Sequence, residues 1–218
     1  MSVPTPHAKR HFRGVSPEDR QAERRKRLLE AGLEAFGARG FYAVGVRDVC
    51  GLAKLTERYF YESFENREAL FLAVYQEAAQ RIRDAITEAH SRARADATEL
   101  ARTGLEATLR TFRDDPRIAR ILLLEVFAVA NVGEARLVVS QGFAEEIAAI
   151  TRAFYPDIEE KKLSADIVGN GLYGSTVYIA MRWALDGFRE PLETILEHCL
   201  LFYESLDDRM RAAVPGPT

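Results

Sequence analysis

The chain has 218 residues, of which 47% are hydrophobic, 29% are charged and two are cysteines. This length and hydrophobic content can build a core for one or two domains, which excludes a mainly disordered protein. Two cysteines are too few for a disulfide framework, and the composition has no collagen-like or low-complexity bias.

The first residues do not join a basic stretch to an apolar run as a secretory signal does, which favours a cytoplasmic protein. The longest uncharged stretch, Ile167 to Met181, is shorter than the roughly 20 apolar residues that span a bilayer. We therefore expect no membrane segment and no membrane partner.

Charge is distributed unevenly along the chain. Residues 1–64 hold 12 Lys and Arg against 8 Asp and Glu, a net charge of +4, whereas residues 65–218 hold 18 against 25, a net charge of −7. The first part can therefore lie against phosphate groups, which would repel the second part. The total charge of −3 argues against a protein that coats nucleic acid through a basic surface on all sides.

A basic arm and one long helix are predicted at the N-terminus. Residues 1–15 have almost no apolar pattern and are interpreted as a flexible arm. Ser16 followed by Pro17 is typical of a helix start, and the helical spacing of apolar residues continues to about Arg39. Gly40 is then a suitable stop.

Two short helices follow. Val46, Val49, Cys50 and Ala53 share one apolar stripe that is two turns long, which predicts a helix of about eight residues. After Lys54 and Leu55, Thr56 can cap a third short helix. Two short helices joined by a turn and braced by a longer one are typical of a helix-turn-helix, whose second helix fits the major groove.

The rest of the sequence also predicts helices. Asn66 caps a long helix to about His90, roughly 37 Å at 1.5 Å per residue, and Asp96 begins another that ends before Pro116. Residues 121–130 are apolar on nearly all sides and should be buried. Three more helices follow: one ending at Tyr155, one over residues 163–186, and one after Pro191.

No segment alternates as a strand does, so the fold class is all-α, with about nine helices. We predict four parts: a flexible basic arm over residues 1–15, a helix-turn-helix domain over 16–65, a larger helical domain over 66–210, and a disordered tail over 211–218.

Residues 40–70 resemble the DNA-binding domain of the tetracycline-repressor (TetR) family. The matching stretches are Gly40-Phe41, Val46-Arg47-Asp48-Val49-Cys50, Ala53-Lys54-Leu55-Thr56, Tyr59-Phe60-Tyr61-Glu62-Ser63-Phe64 and Asn66-Arg67-Glu68-Ala69-Leu70. The resemblance implies a transcriptional regulator that binds a double-stranded operator as a homodimer, with no cofactor and no metal. The residues that it aligns with DNA-contacting positions are Arg47, Thr56, Arg58, Tyr59, Tyr61, Ser63 and Arg67.

The sequence departs from the family pattern at several positions. Gly45 stands where a capping Thr is usual, and Lys54 replaces the Gly of the turn. Ser63 replaces a phosphate-binding His, and Arg67 replaces a Lys. These departures keep open an alternative function, that of a helical ligand-binding or interaction protein whose DNA-binding module is degenerate.

The resemblance also implies that the last two helices pair with a second chain, and the stripe of apolar residues on the last helix suits that use as well as it suits an internal core. The aromatic and apolar residues of the second domain suggest a pocket for a small apolar effector. The candidates are Phe112, Leu123, Phe127, Phe143, Tyr173, Tyr178 and Trp183. Glu125, alone among apolar neighbours, is interpreted either as a ligand contact or as a solvent-exposed residue.

An enzyme is the competing class of function. His198 beside Cys199 is the only suggestive pair, but neighbouring residues of a helix point about 100° apart, which does not form a catalytic dyad. The sequence holds no glycine-rich phosphate loop, metal-binding cluster or nucleophile elbow. The chain is therefore predicted not to be an enzyme.

Overall fold

The computed structural model describes residues 16–129 and 132–212. Its α-helices are α1 Pro17–Arg39, α2 Val46–Ala53, α3 Glu57–Tyr61, α4 Arg67–Arg92, α5 Ala97–Asp114, α6 Pro116–Leu123, α7 Gly133–Phe154, α8 Ala165–Leu185 and α9 Leu192–Arg211. The described residues contain no β-strand, which confirms the all-α prediction. The predicted arm over 1–15 and the part of the tail beyond residue 212 lie outside the described residues.

Local capping explains where the first helices begin and end. The Ser16 hydroxyl accepts a hydrogen bond from the Asp19 backbone N–H at 3.0 Å, and the Asp19 carboxylate accepts one from the Ser16 N–H. At α2, which begins after Gly45, the Asp48 carboxylate accepts from the Gly45 N–H at 2.7 Å. Lys54 ends α2 in the left-handed conformation, at φ 52° and ψ 46°, where glycine would be less strained.

The N-terminal helices share an aromatic core. The rings of Phe36, Phe41 and Phe71 are fully buried, and their centroids lie 5.3–5.6 Å apart. Phe36 belongs to α1, Phe41 to the connection before α2, and Phe71 to α4. The cluster therefore fixes the first turns of the long helix α4 against α1.

Helices α4 to α9 form the second part of the fold, in which α7 and α8 pack closely together. A Cβ atom at Gly169 of α8 would overlap the carbonyl oxygen of Ala144 on α7, so only glycine permits this approach. Helix α6 packs on both α1 and α8 and so touches both parts of the chain. Among the described residues, no helix is both long and apolar enough to cross a membrane.

One prediction of burial needs correction, and one open alternative is decided in part. The apolar stretch from Ile121 to Val129 is not buried throughout, because α6 ends at Leu123 and a short 3-10 helix over Glu125–Phe127 turns the Phe127 side chain outward. On α9, most of the apolar stripe faces the chain's own core: Leu192, Leu196 and Cys199 are buried. Phe202, a member of the same stripe, is exposed.

Candidate nucleic-acid interface and ligand cavity

Helix α3 is held by one buried ring and presents its remaining side chains outward. Phe60 is fully buried and contacts the buried Phe64, at 5.9 Å between ring centroids. Thr56, Arg58 and Tyr61 are exposed around this anchor. A helix with a fixed inner face and polar outer face has the form that major-groove binding requires.

Arg47 is the most exposed of the candidate phosphate contacts. Its side chain is 90% exposed, and its Nε lies 3.0 Å from an Oε atom of Glu57 at the start of α3. Arg58, on α3 itself, pairs with Glu62 at the same distance. Such exposed ion pairs contribute little stability, so phosphate can replace the carboxylate partner at low cost.

The other candidate residues are partly committed to the fold. The Arg24 guanidinium lies 4.5 Å from the centroid of the half-buried Tyr59 ring. Ser63 is also half-buried, and its carbonyl oxygen accepts a hydrogen bond from Arg25 at 2.9 Å. Tyr59, within α3, and Ser63, just after it, are therefore less accessible than Arg47.

Arg67 is directed into the protein. Its Nη1 donates to the Val44 carbonyl at 2.8 Å, and its guanidinium lies 4.1 Å from the centroid of the Phe41 ring. In this structure Arg67 braces the connection between α1 and α2. Any contact with DNA would need a different side-chain conformation.

Sequence reasoning missed a set of basic residues on α1 that brace the two short helices. Arg25 packs on the Phe64 ring, at 4.3 Å from its centroid, and Arg27 donates hydrogen bonds to the carbonyls of Ala53 and Lys54. Residues 24–27 are four consecutive basic residues, and this run is the feature of the sequence that could have indicated their role. The run also concentrates positive charge beside α3.

Arg47→Ala is expected to weaken binding to all duplex sequences alike and to reduce the slope of log affinity against log salt by about one unit. The physical reason is the loss of one phosphate contact that carries no sequence information. Fluorescence anisotropy at several salt concentrations measures both quantities. Arg94→Ala, an exposed arginine after α4, is the control; an unchanged slope for Arg47→Ala would argue against the phosphate contact.

A cavity of about 490 Å³ lies among helices α4 to α9. Its lining is mainly apolar, with hydroxyl groups from threonine and tyrosine distributed through it. Four of the seven residues proposed for an effector pocket line it: Phe112, Leu123, Phe143 and Tyr173. The Phe143 and Tyr173 rings are stacked, with centroids 6.0 Å apart. The volume falls in the range of small-molecule pockets.

The other three residues proposed for the pocket do not line this cavity: Phe127, Tyr178 and Trp183. Phe127 is 59% exposed and lies under the Arg136 guanidinium, and Tyr178 is 62% exposed on α8. Trp183 is buried, but its Nε1 donates to the Glu190 carbonyl at 2.9 Å and its ring packs on Phe188. Aromatic residue type alone does not distinguish a cavity wall from a surface or a local core.

The sequence left Glu125 as a ligand contact or a solvent-exposed side chain, and its actual contacts match neither. One carboxylate oxygen accepts from the Phe41 backbone N–H at 2.9 Å, and the other accepts from Arg120 Nε at the same distance. Arg120 also donates to the Ala38 carbonyl at the end of α1. Glu125 and Arg120 thus connect α6 and the 3-10 helix to the junction between α1 and α2.

A second contact supports the same junction. Arg117 on α6 donates to Glu34 on α1 at 2.6 Å and holds both carboxylate oxygens of Asp115 at 2.7 Å. The hydrogen bond with Arg117 lowers the pKa of Asp115 below its usual value. Since Leu122 and Leu123 on α6 line the cavity, one helix touches both the cavity and α1.

The sequence family described as bacterial regulatory proteins, tetR family, matches residues 28–74. That range contains the C-terminal half of α1, all of α2 and α3, and the start of α4. The chain therefore carries, over residues 28–74, a domain that matches the DNA-binding domain of TetR-family regulators. The matched range includes Phe60, which anchors α3, whereas Arg25 and Arg27, which brace the two short helices, lie just before it.

Other similarities agree with this family. The chain is 36% identical over 61 residues to the uncharacterized HTH-type transcriptional regulator YdgC of Bacillus subtilis (strain 168), a match that covers 28% of this chain and 31% of that relative. The structure of the fatty acid degradation regulator FadR from Bacillus halodurans has a TM-score of 0.71 and 15% identity, covering 83% of this chain and 94% of that one.

A second FadR structure, from Bacillus subtilis in complex with stearoyl-CoA, has a TM-score of 0.69 and 14% identity, covering 82% of this chain and 96% of that one. At such identities the similarity establishes the fold and not the ligand. The match to YdgC spans about a third of that protein's length.

Proposed function

We propose that this protein is a TetR-family regulator that binds DNA sequence-specifically, a repressor that a small apolar effector releases from a palindromic operator. The observation that carries the proposal is the geometry of α3, whose Phe60 is buried while Thr56, Arg58 and Tyr61 face outward. We assign the chain no catalytic role and no cofactor. Because such a regulator acts on chromosomal DNA, the proposal places the protein in the cytoplasm.

Dimerisation through α8 and α9 is part of the proposal. Both helices carry large exposed apolar side chains, which we call the α8–α9 face: Ile167, Tyr178 and Leu185 on α8, and Leu201 and Phe202 on α9. At Gly171 and Gly174 of α8, an added Cβ atom would meet nothing within 4 Å, so a partner helix can approach closely there. Large exposed apolar patches of this kind commonly mark protein interfaces.

A two-fold dimer presents α3 twice, so the operator should have two half-sites about one helical turn apart or a multiple of that spacing. An effector releases DNA only if it binds more tightly to a dimer conformation in which the two α3 helices no longer match the half-sites. Helix α6 is a suitable mechanical link, because it contributes Leu122 and Leu123 to the cavity and contacts α1 through Arg117 and Arg120.

Long-chain acyl-CoA is a specific effector candidate, because the B. subtilis FadR structure contains stearoyl-CoA. The apolar lining here would suit an acyl chain. None of the described lining residues is a lysine or arginine, however, and the phosphates of CoA would have to remain outside the cavity.

The proposed function is tested by selecting bound fragments from random or genomic duplex DNA with the purified full chain, and then repeating the selection with candidate ligands. Recovery of a palindromic sequence that is lost when a ligand is added would support it. Recovery of no sequence, with retention on DNA only in dilute buffer, would contradict sequence-specific regulation.

The second candidate function is a ligand-binding or interaction protein with a degenerate DNA-binding module. The inward direction of Arg67 favours it, because one expected phosphate contact is committed to Val44 and Phe41. The two functions differ in a simple measurement. A degenerate module predicts ligand binding without selection of any operator, whereas a working regulator shows both.

A further inference from the structure

We propose that the cavity takes an uncharged, mainly apolar ligand with an oxygen that accepts hydrogen bonds from the Tyr75 and Tyr173 hydroxyls. The inference rests on the proposed function, since it names the class of effector for the cavity already described. Three independent features carry it: unpartnered phenols in the cavity wall, nearby positive charge, and the near absence of charge on the lining.

Tyr75 is the first feature. Its side chain on α4 is 3% exposed and lines the cavity, and its hydroxyl has no hydrogen-bond partner among the described residues. Unlike the fully buried Thr176 hydroxyl, the Tyr75 hydroxyl keeps some accessible surface, so it is open to a ligand in the cavity as a hydrogen-bond donor. Burial, with a smaller contribution from Tyr173, raises the pKa of Tyr75 to about 12, so the phenol keeps its proton at neutral pH.

Two further hydroxyl groups extend this polar site. Tyr173 on α8 also lines the cavity without a hydrogen-bond partner for its hydroxyl, and burial raises the pKa of this phenol as well. Thr176, one turn along α8, has a buried hydroxyl without a hydrogen-bond partner among the described residues, and it lies near the Tyr203 phenol, whose pKa is raised to about 12 by burial. The unpartnered hydroxyls of α8 thus lie one turn apart.

Two nearby arginines make the site around the Tyr75 and Tyr173 hydroxyls favourable for the negative end of a ligand's dipole. Arg83 and Arg136 both act electrostatically on the Tyr75 and Tyr173 phenols. Neither arginine lines the cavity: Arg83 stacks on the Phe143 ring at 4.3 Å and pairs with Glu146 at 3.0 Å. A partial negative charge on a carbonyl, ether or hydroxyl oxygen is stabilised there, and the charge of Arg83 is already balanced by Glu146.

The charge on the lining gives the third feature. Among the described lining residues, Glu146 is the only carboxylate, and lysine and arginine are absent. Glu146 lies at the exposed rim and is already paired with Arg83. The lining offers a carboxylate ligand no lysine or arginine, and the Nε2 atom of its histidine, His90, already contacts the Leu100 carbonyl at 3.0 Å. Burial of an unpaired charge is far more costly than burial of a neutral oxygen.

Benzophenone, diphenylmethane and diphenylacetate test the inference, because they share two phenyl rings and differ in the group that joins them. Benzophenone carries a carbonyl acceptor, diphenylmethane carries none, and diphenylacetate carries an anion. Isothermal titration calorimetry on the full chain should find benzophenone bound about 3- to 10-fold more tightly than diphenylmethane, the gain of one neutral hydrogen bond. Diphenylacetate should bind least tightly.

The variant Tyr75→Phe/Tyr173→Phe removes the two hydroxyls and keeps both rings. It should lose the preference for benzophenone while keeping its affinity for diphenylmethane within about twofold. Ser91→Ala, which removes an exposed hydroxyl of α4 outside the cavity, is the control and should keep the preference. Comparing the two ligands within each protein cancels any general change in stability.

The outcomes separate this inference from the proposed function. Equal affinity of the wild type for benzophenone and diphenylmethane, or tightest binding of diphenylacetate, would overturn the inference and leave the cavity as an effector site. Persistence of the benzophenone preference in the double variant would also overturn it. Failure of all three compounds to bind would overturn both the ligand class and effector control, whereas operator selection on the same preparation tests DNA binding separately.

Discussion

Leu201→Arg is expected to convert the protein to a monomer and to lower its affinity for a palindromic operator by about 100-fold or more. Leu201 is 57% exposed on the α8–α9 face, so the folded monomer can tolerate the change. In the proposed dimer the arginine would be buried without a partner, which is strongly unfavourable. Two linked recognition helices gain roughly 10²- to 10⁴-fold from binding together, and a monomer loses that gain.

Sedimentation velocity and operator titration measure the two effects. Val138→Arg is a matched control, because Val138 is an apolar residue of α7 that is 61% exposed and lies outside the α8–α9 face. This control should remain dimeric and bind the operator normally. A dimeric Leu201→Arg protein would show that the chains associate through another surface.

Glu125→Ala is expected to lower the free energy of unfolding by about 2–4 kcal/mol, because it leaves the Phe41 N–H and the Arg120 guanidinium without their acceptor. These bonds join residues that are 84 and 5 positions apart in sequence. The loss should be concentrated at the junction between α1 and α2. Urea denaturation measures the total, and amide hydrogen exchange at Phe41 locates it.

Glu134→Ala provides the comparison for this second change. Glu134 is an exposed acid in the first turn of α7 and forms no ion pair among the described residues. Its removal should change the free energy of unfolding by less than about 0.5 kcal/mol. If Glu125→Ala also changed the free energy of unfolding by less than about 0.5 kcal/mol, with unchanged exchange at Phe41, the contacts of Glu125 with Phe41 and Arg120 would not stabilise the protein.

The N-terminal helices were predictable because their signals are local. The Ser16 cap and Pro17 define the start of α1, and the apolar stripe of Val46, Val49 and Cys50 defines α2. Each of these signals acts within one or two helical turns. The α2 and α3 bounds therefore follow from neighbouring residues alone, and the TetR resemblance arises in the same short stretch.

The wall of the cavity was less predictable. Phe143 and Phe127 are both aromatic residues among apolar neighbours, yet Phe143 lines the cavity and Phe127 lies on the surface. The difference arises because the chain leaves the α-helix after Leu123 and turns through a 3-10 helix. On α9, likewise, the stripe that could have met a second chain is used mostly by the protein's own core.

The sequence by itself determined the helices, the helix-turn-helix and its resemblance to the TetR family, because capping, apolar periodicity and a short motif are properties of adjacent residues. Only the tertiary structure decided the role of Glu125, the inward direction of Arg67 and the unpartnered hydroxyls of Tyr75 and Tyr173. Those roles depend on atoms from segments far apart in the chain. Hydrogen-bond partners and burial are set by that distant packing, which local patterns do not encode.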